Sequence, residues 1–136
     1  MSHYNKGANA ERELIALLLQ ANVAALRAAG SGVAPSAGPD VVALTPGRVL
    51  AIECKAWKAS TLSISHVQVK DLQGWCARSG AELVVAWKIP HKGWRFLGLE
   101  HFSKTPKFYS VSRDTALRKG LELNRLLGLQ TPLLFQ

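Results

Sequence analysis

Asp40, Glu53 and Lys55 are the residues whose types and spacing can do chemistry together. The carboxylates belong to two apolar, β-prone runs, Asp40 to Leu44 and Val49 to Lys55, joined by Thr45-Pro46-Gly47-Arg48. Proline and glycine side by side carry turn chemistry, so the segment reads as a β-hairpin. A two-residue loop at Pro46-Gly47 pairs Asp40 directly with Glu53 on one face of the sheet, and a symmetric four-residue loop keeps that register. Lys55 lies two residues beyond Glu53 and shares its face, while Cys54 points the other way. Carboxylates facing each other at roughly 5 Å repel and weaken a strand pair unless a proton or a cation lies between them. A hard divalent cation fits, because magnesium takes oxygen ligands, keeps several waters and commonly uses one or two carboxylates together with substrate phosphate. Asp40, Glu53 and the backbone carbonyl of Cys54 would hold it. The bound ion would polarise a phosphate and acidify water, with Lys55 either a base or a stabiliser of charge on the phosphoryl oxygens. The reaction would be phosphodiester hydrolysis. The same short string also describes a hairpin with surface charges. Against that stands its setting on apolar strands, with Ile52 and Cys54 on the opposite face and Pro39 at a strand start, where a missing N–H is tolerated.

The surrounding pattern supplies a scaffold. Alanines 10 and 21 with Leu14, Leu17 and Leu18 recur at helical spacing and predict an amphipathic helix from Lys6 to about Asn22. Val23 to Ala28 reads as a short strand, followed by a loop rich in glycine, serine and proline from Gly30 to Pro39. Ser65 and Gln68 have capping-box spacing and open a second helix, with Val67, Leu72, Trp75 and Cys76 on one face and an end near Gly80. Ala81 to Lys88 and Trp94 to Leu99 read as strands joined through Pro90-His91-Lys92-Gly93, and Phe108 to Val111 as a further strand. Thr115 to Leu127 reads as a helix capped by Gly128, although Gly120 interrupts it. This order implies an α/β fold with a central mixed β-sheet flanked by α-helices.

A chain of 136 residues has room for one domain with a real core, and 48% apolar against 19% charged residues describes a folded chain. We expect a single nuclease domain over 1–136, with the motif-bearing core at about 6–100 and a C-terminal strand, helix and tail over 101–136. A net charge of +8 points to a polyanionic partner, and a solvated basic surface is the simpler alternative. Cys54 and Cys76 fall in predicted buried elements without zinc spacing, so reduced thiols are expected. Leu14 to Leu19 is far too short for a membrane span, and the expected setting is the cytoplasm, of a host cell if the chain is viral.

Several separate pieces, in order and spacing, then carry a resemblance. Lys6-Gly7, Glu11-Arg12-Glu13-Leu14, Arg27, Gly30-Ser31-Gly32, Pro39-Asp40-Val41-Val42-Ala43, Ile52-Glu53-Cys54-Lys55 and Gln68-Val69 with Leu72 together resemble the archaeal Holliday-junction resolvases (Hjc), within the PD-(D/E)xK nuclease superfamily. The segment Leu62-Ser63-Ile64 departs from that pattern, which places an aromatic at the middle position. The resemblance implies a restriction-endonuclease-like fold and magnesium-dependent nicking of four-way DNA junctions, with manganese able to substitute. It implies Glu11 as a third acid and metal ligand beside Asp40, Glu53 and Lys55, and Ser31 on a loop reaching the site. Lys6, Arg12, Arg27, Lys58 and Gln68 would be DNA-binding residues. Each has a plainer reading: a helix N-terminal acid for Glu11, a turn serine for Ser31, a solvated face or salt bridge for the arginines, a capping box for Gln68. A homodimer matches the twofold symmetry of a junction. No membrane and no small-molecule cofactor are implied. Two readings compete: another PD-(D/E)xK nuclease acting on duplex, flap or specific site, and a basic DNA-binding module without catalysis.

Overall fold

The computed structural model describes residues 3–28 and 38–129. Ala10, Leu14 and Leu18 are buried along one stripe of α1 (His3–Gln20), which extends the predicted helix at its start. Next come β1 (Ala24–Arg27), β2 (Val41–Thr45), β3 (Arg48–Lys55) and β4 (Thr61–Ser65). Helix α2 (His66–Ser79) leads into β5 (Glu82–Ile89) and β6 (Gly93–Leu97). Short β7 (Ser103–Lys104), β8 (Phe108–Ser112), α3 (Arg113–Lys119) and α4 (Leu123–Leu126) complete the described chain.

The central sheet has the order β1-β2-β3-β5-β6. Only β3 and β5 run parallel, because the crossover through β4 and α2 is long enough to return the chain in the same direction. The β2–β3 hairpin has the expected register: Thr45 pairs with Arg48 and Val41 with Ile52, so the next step places Asp40 opposite Glu53. Gly47 has φ 80, which a type II turn requires after a proline.

Both faces of this sheet are covered along β3, β5 and β6. On one side Leu50, Ile52, Val84, Ala86 and Phe96 pack with Leu14 and Leu18 of α1 and Leu126 of α4. On the other, Val85, Trp87, Ile89 and Leu97 pack with Leu62 and Ile64 of β4, Val69 of α2, Val111 of β8 and Ala116 of α3. This is an α/β fold with a mixed central sheet between helices, as the element pattern implies.

Four details differ from the sequence reading. Thr61–Ser65, not read as a strand there, forms β4. Phe108 to Val111 does not extend the central sheet: β8 pairs with β4 and β7 in a second, three-stranded sheet. Ser63, at the position where the sequence departs from the family pattern, meets Ser110 across that sheet, hydroxyl to hydroxyl at 2.9 Å. The C-terminal helix is broken. Gly120 is extended (φ −68, ψ 148), and Leu121 exchanges both backbone hydrogen bonds with Phe96. A Cβ at Gly120 would lie 2.5 Å from the Ala116 carbonyl oxygen, so glycine lets the chain leave α3 and join the sheet edge. Val67 is 72% exposed and lies off the buried face of α2, which Val69 and Leu72 occupy.

Candidate active site

The hairpin register and the ends of β1 and β3 bring the predicted acids to one end of the central sheet. Val41 pairs with Arg27 on one side and Ile52 on the other, so Arg27, Asp40 and Glu53 stand in adjacent strands at neighbouring levels. Asp40 lies one residue ahead of β2, and its Oδ2 accepts a hydrogen bond from the Cys54 backbone N–H at 2.9 Å. That bond ties the start of one strand to the motif-bearing end of the next.

Glu53 is 4% exposed, the one charged residue among the buried residues described. Lys55 Nζ lies 3.4 Å from its Oε2, and the Gln68 side-chain amide donates to the same oxygen. Burial first, then the Asp40 charge, push the Glu53 carboxyl up to about 8, with Lys55 opposing them. A hydrogen bond shared with Asp40 acts in the same direction as burial. Cys54, on the other face, has its thiol raised by burial and by the charges of Asp40, Glu11 and Glu53, which places all three acids within electrostatic reach of one point.

Glu11 comes from α1. Its Oε1 accepts from Arg27 Nε at 2.9 Å, while burial and the Asp40 charge raise its carboxyl above the ordinary value. Arg27 is therefore engaged with an acid of the cluster. Arg12 is exposed on α1, with Nη1 at 3.4 Å from the Asn9 side-chain oxygen. Gln68 divides its groups: its backbone N–H donates to the Ser65 Oγ cap, whereas its side chain goes to Glu53 and does not return to the cap. Half of the capping box therefore forms, and the Gln68 side chain is left to contact Glu53. Lys6 and Lys58 line a shallow groove beside the motif. Ser31 and its glycine loop lie outside the described residues.

Another tie was hidden from the sequence. Glu13, one residue past Arg12, accepts from Lys88 and from Trp94 Nε1 (3.0 Å), pinning α1 to the ends of β5 and β6. These partners are 75 and 81 residues away, and no local spacing signals them.

The donor chemistry fits a hard cation. Among the described residues no three His, Cys, Asp or Glu side chains form a closed cage. Asp40 and Glu53 instead make an open pair of oxygens, one of them buried and held protonated at neutral pH unless positive charge balances it. Because the folded-state value lies above the ordinary 4.5 of a glutamate, folding takes up a proton between those two limits. Stability of the metal-free protein from this group is therefore full below about pH 4.5 and falls as pH rises towards 8. In chelator at pH 8, Glu53→Gln should melt above the parent protein, by roughly 1–3 kcal/mol of stability, and the two should converge at pH 4.5. Thermal melts at both pH values check this, and a constant difference would show that Glu53 is not the titrating group.

Comparisons with known proteins follow the same line. A family model described as archaeal Holliday junction resolvase (Hjc) matches residues 2–133, extending the resemblance well past residue 100. The crossover junction endodeoxyribonuclease Hjc of Archaeoglobus fulgidus is 38% identical over 124 residues, covering 91% of this chain and 90% of that protein. Its counterpart from Sulfurisphaera tokodaii is 30% identical over 129 residues, covering 93% and 88%. The solved structure of Archaeoglobus fulgidus Hjc, described as a Holliday junction resolvase from an archaeal hyperthermophile, superposes with a TM-score of 0.84 at 33% identity. It covers 93% of this chain and 99% of that one.

Proposed function

The chain belongs to the archaeal Holliday junction resolvase family, and from that membership we propose that it nicks opposed strands of four-way DNA junctions by metal-dependent phosphodiester hydrolysis, as one nuclease domain, in recombination and repair. The observation that carries this reading is the buried Glu53 carboxyl held against Asp40 and beside a half-buried Lys55 at the end of β3. Asp40, Glu53 and the Cys54 carbonyl would hold magnesium, or manganese in its place, with Glu11 supporting the charge from α1. When bound, such an ion activates water and neutralises the phosphate.

The residues of the chain do the rest. Gln68 and Lys55 both hold Oε2 of the Glu53 carboxyl, so that it does not have to reorganise when substrate arrives. Lys55 carries positive charge beside the phosphoryl oxygens as the new P–O bond forms and the bond to the leaving sugar oxygen breaks. That oxygen then takes a proton from solvent. Arg27 orients Glu11 by its ion pair, and Lys6, Arg12 and Lys58 meet neighbouring phosphates. With a net charge of +8, affinity should fall steeply with salt and depend little on base sequence.

Two copies present two sites to two opposed strands. Support for a homodimer comes from Leu26, Leu44 and Val67, which are 68%, 41% and 72% exposed. Val41 and Ala43 face the α1 core, so Leu44 and the Val42 partner Leu26 project on the side of the sheet that carries α2. Among the described residues no helix is long and apolar enough to cross a membrane, and a cytoplasmic setting is part of the proposal.

The test is cleavage of a labelled four-way junction and of linear duplex of the same sequence, each with magnesium and with chelator. Paired nicks near the branch point, only with metal and only in the junction, are expected. Equal cutting of both substrates would point to a duplex nuclease, and junction binding without nicking under any metal would leave a DNA-binding module.

A further inference from the structure

Two residues past Lys55 the chain presents a tryptophan to solvent. Trp87 is fully buried, Trp94 is 8% exposed and bonded to Glu13, and Trp75 is half-buried on α2, whereas Trp57 is 39% exposed. The Trp57 backbone is fixed: its carbonyl accepts a hydrogen bond from the buried Trp87 Nε1 at 3.1 Å. An exposed indole therefore stands on a rigid ledge next to the motif. Ala56 and Ala59, both small, line the same groove.

The groove around it is basic. Lys6, Ala56, Trp57 and Lys58 line one part, and Lys6, Ala56 and Lys88 line the adjoining part, so Lys6 and Ala56 are shared and the two form one track from α1 along the segment that follows Lys55. Lys88 is engaged by Glu13, but among the described residues neither Lys6 nor Lys58 makes an ion pair. An aromatic face between uncommitted cations is the arrangement that binds an opened nucleic-acid strand: phosphates meet the cations and a base stacks on the ring. Within a continuous duplex every base is already stacked on both sides, and exposing one costs free energy. At a branch point the stack is interrupted, so a base face is available at lower cost.

We infer that Trp57 reads the branch point, stacking on a base opened at the centre of the junction while Lys6 and Lys58 hold the adjoining phosphates. This makes Trp57 a selectivity-determining residue, and it rests on junction cleavage as the reaction. Its contribution is large where a base face is free and small on linear duplex. The basic track alone would bind both substrates and distinguish them weakly.

The experiment measures dissociation constants in chelator, where no strand is cut, for a four-way junction and a linear duplex of the same sequence. Parent protein, Trp57→Phe and Trp57→Ala are compared, with thermal melts of each. The fold should survive, because the bond from Trp87 is to backbone that both substitutions keep. Trp57→Ala should weaken junction binding about tenfold, the size of one lost base–aromatic stack, with less than about a twofold change on duplex. Trp57→Phe should keep most of the junction affinity. Equal losses on both substrates, or an unchanged preference in Trp57→Ala, would overturn the assignment while leaving the nuclease reading intact. A parent protein that does not prefer the junction at all would instead remove the junction reading, and this inference with it.

Discussion

Asp40→Asn and Glu53→Gln should each lower the single-turnover rate of junction nicking by about 10³-fold while leaving junction affinity equal or slightly tighter. Both substitutions keep shape and remove a charge. The loss of rate follows from the geometry: the two carboxyls face each other from paired strand ends, one anchored to the Cys54 N–H and the other held by Lys55 and Gln68, and neither can take the other's place. The retained affinity follows from where the positive charge lies. DNA is attracted by the basic surface, and removing a carboxylate beside a phosphate reduces repulsion. Rates measured at saturating protein, together with binding in chelator, separate the two effects. Near-normal cutting by either variant would remove that residue from the site.

Lys55→Met should lose about 10²-fold in the same assay, and Lys55→Arg should recover a substantial part of that loss. Methionine fills the space of the lysine stem without its charge. Arginine restores the charge but cannot act as a base, since its guanidinium does not give up a proton in proteins. Lys55 Nζ lies 3.4 Å from the Glu53 carboxyl, in the position of a fixed charge. An arginine variant as inactive as the methionine one would assign Lys55 the role of base.

Much of this site was readable in the sequence because it depends on short-range rules. The Pro46-Gly47 turn sets the register of β2 and β3, and alternation along β3 then fixes which face Glu53 and Lys55 share. Ser65 and Gly80 bound α2 through a side-chain cap and a left-handed glycine, and both are local signals. What failed to show was long-range pairing. Residue type marks β8 as a strand without naming its partner and leaves β4 unread, because their separate sheet depends on contacts such as Ser63 with Ser110, 47 residues apart. The break at Gly120 was visible as a weak point, but the bridge from Leu121 to Phe96 that exploits it was not. Val67 misled because an apolar residue at helical spacing reads as core, and only the tertiary packing leaves it exposed. Glu11 and Arg27 illustrate the limit in another way: the family resemblance, not residue type, suggested an acid and a phosphate contact, and the structure joins them as a pair at 2.9 Å.

Asp40 and Glu53 should jointly bind a hard cation, and titration of the metal-free protein with manganese, followed by the loss of the free-ion resonance signal, tests this without reference to DNA. The parent protein should bind at pH 8 and more weakly at pH 6, where the proton on Glu53 competes, and Asp40→Asn and Glu53→Gln should each weaken binding at least about tenfold. Binding that is indifferent to pH and unchanged in both variants would mean that these two carboxyls do not hold the ion.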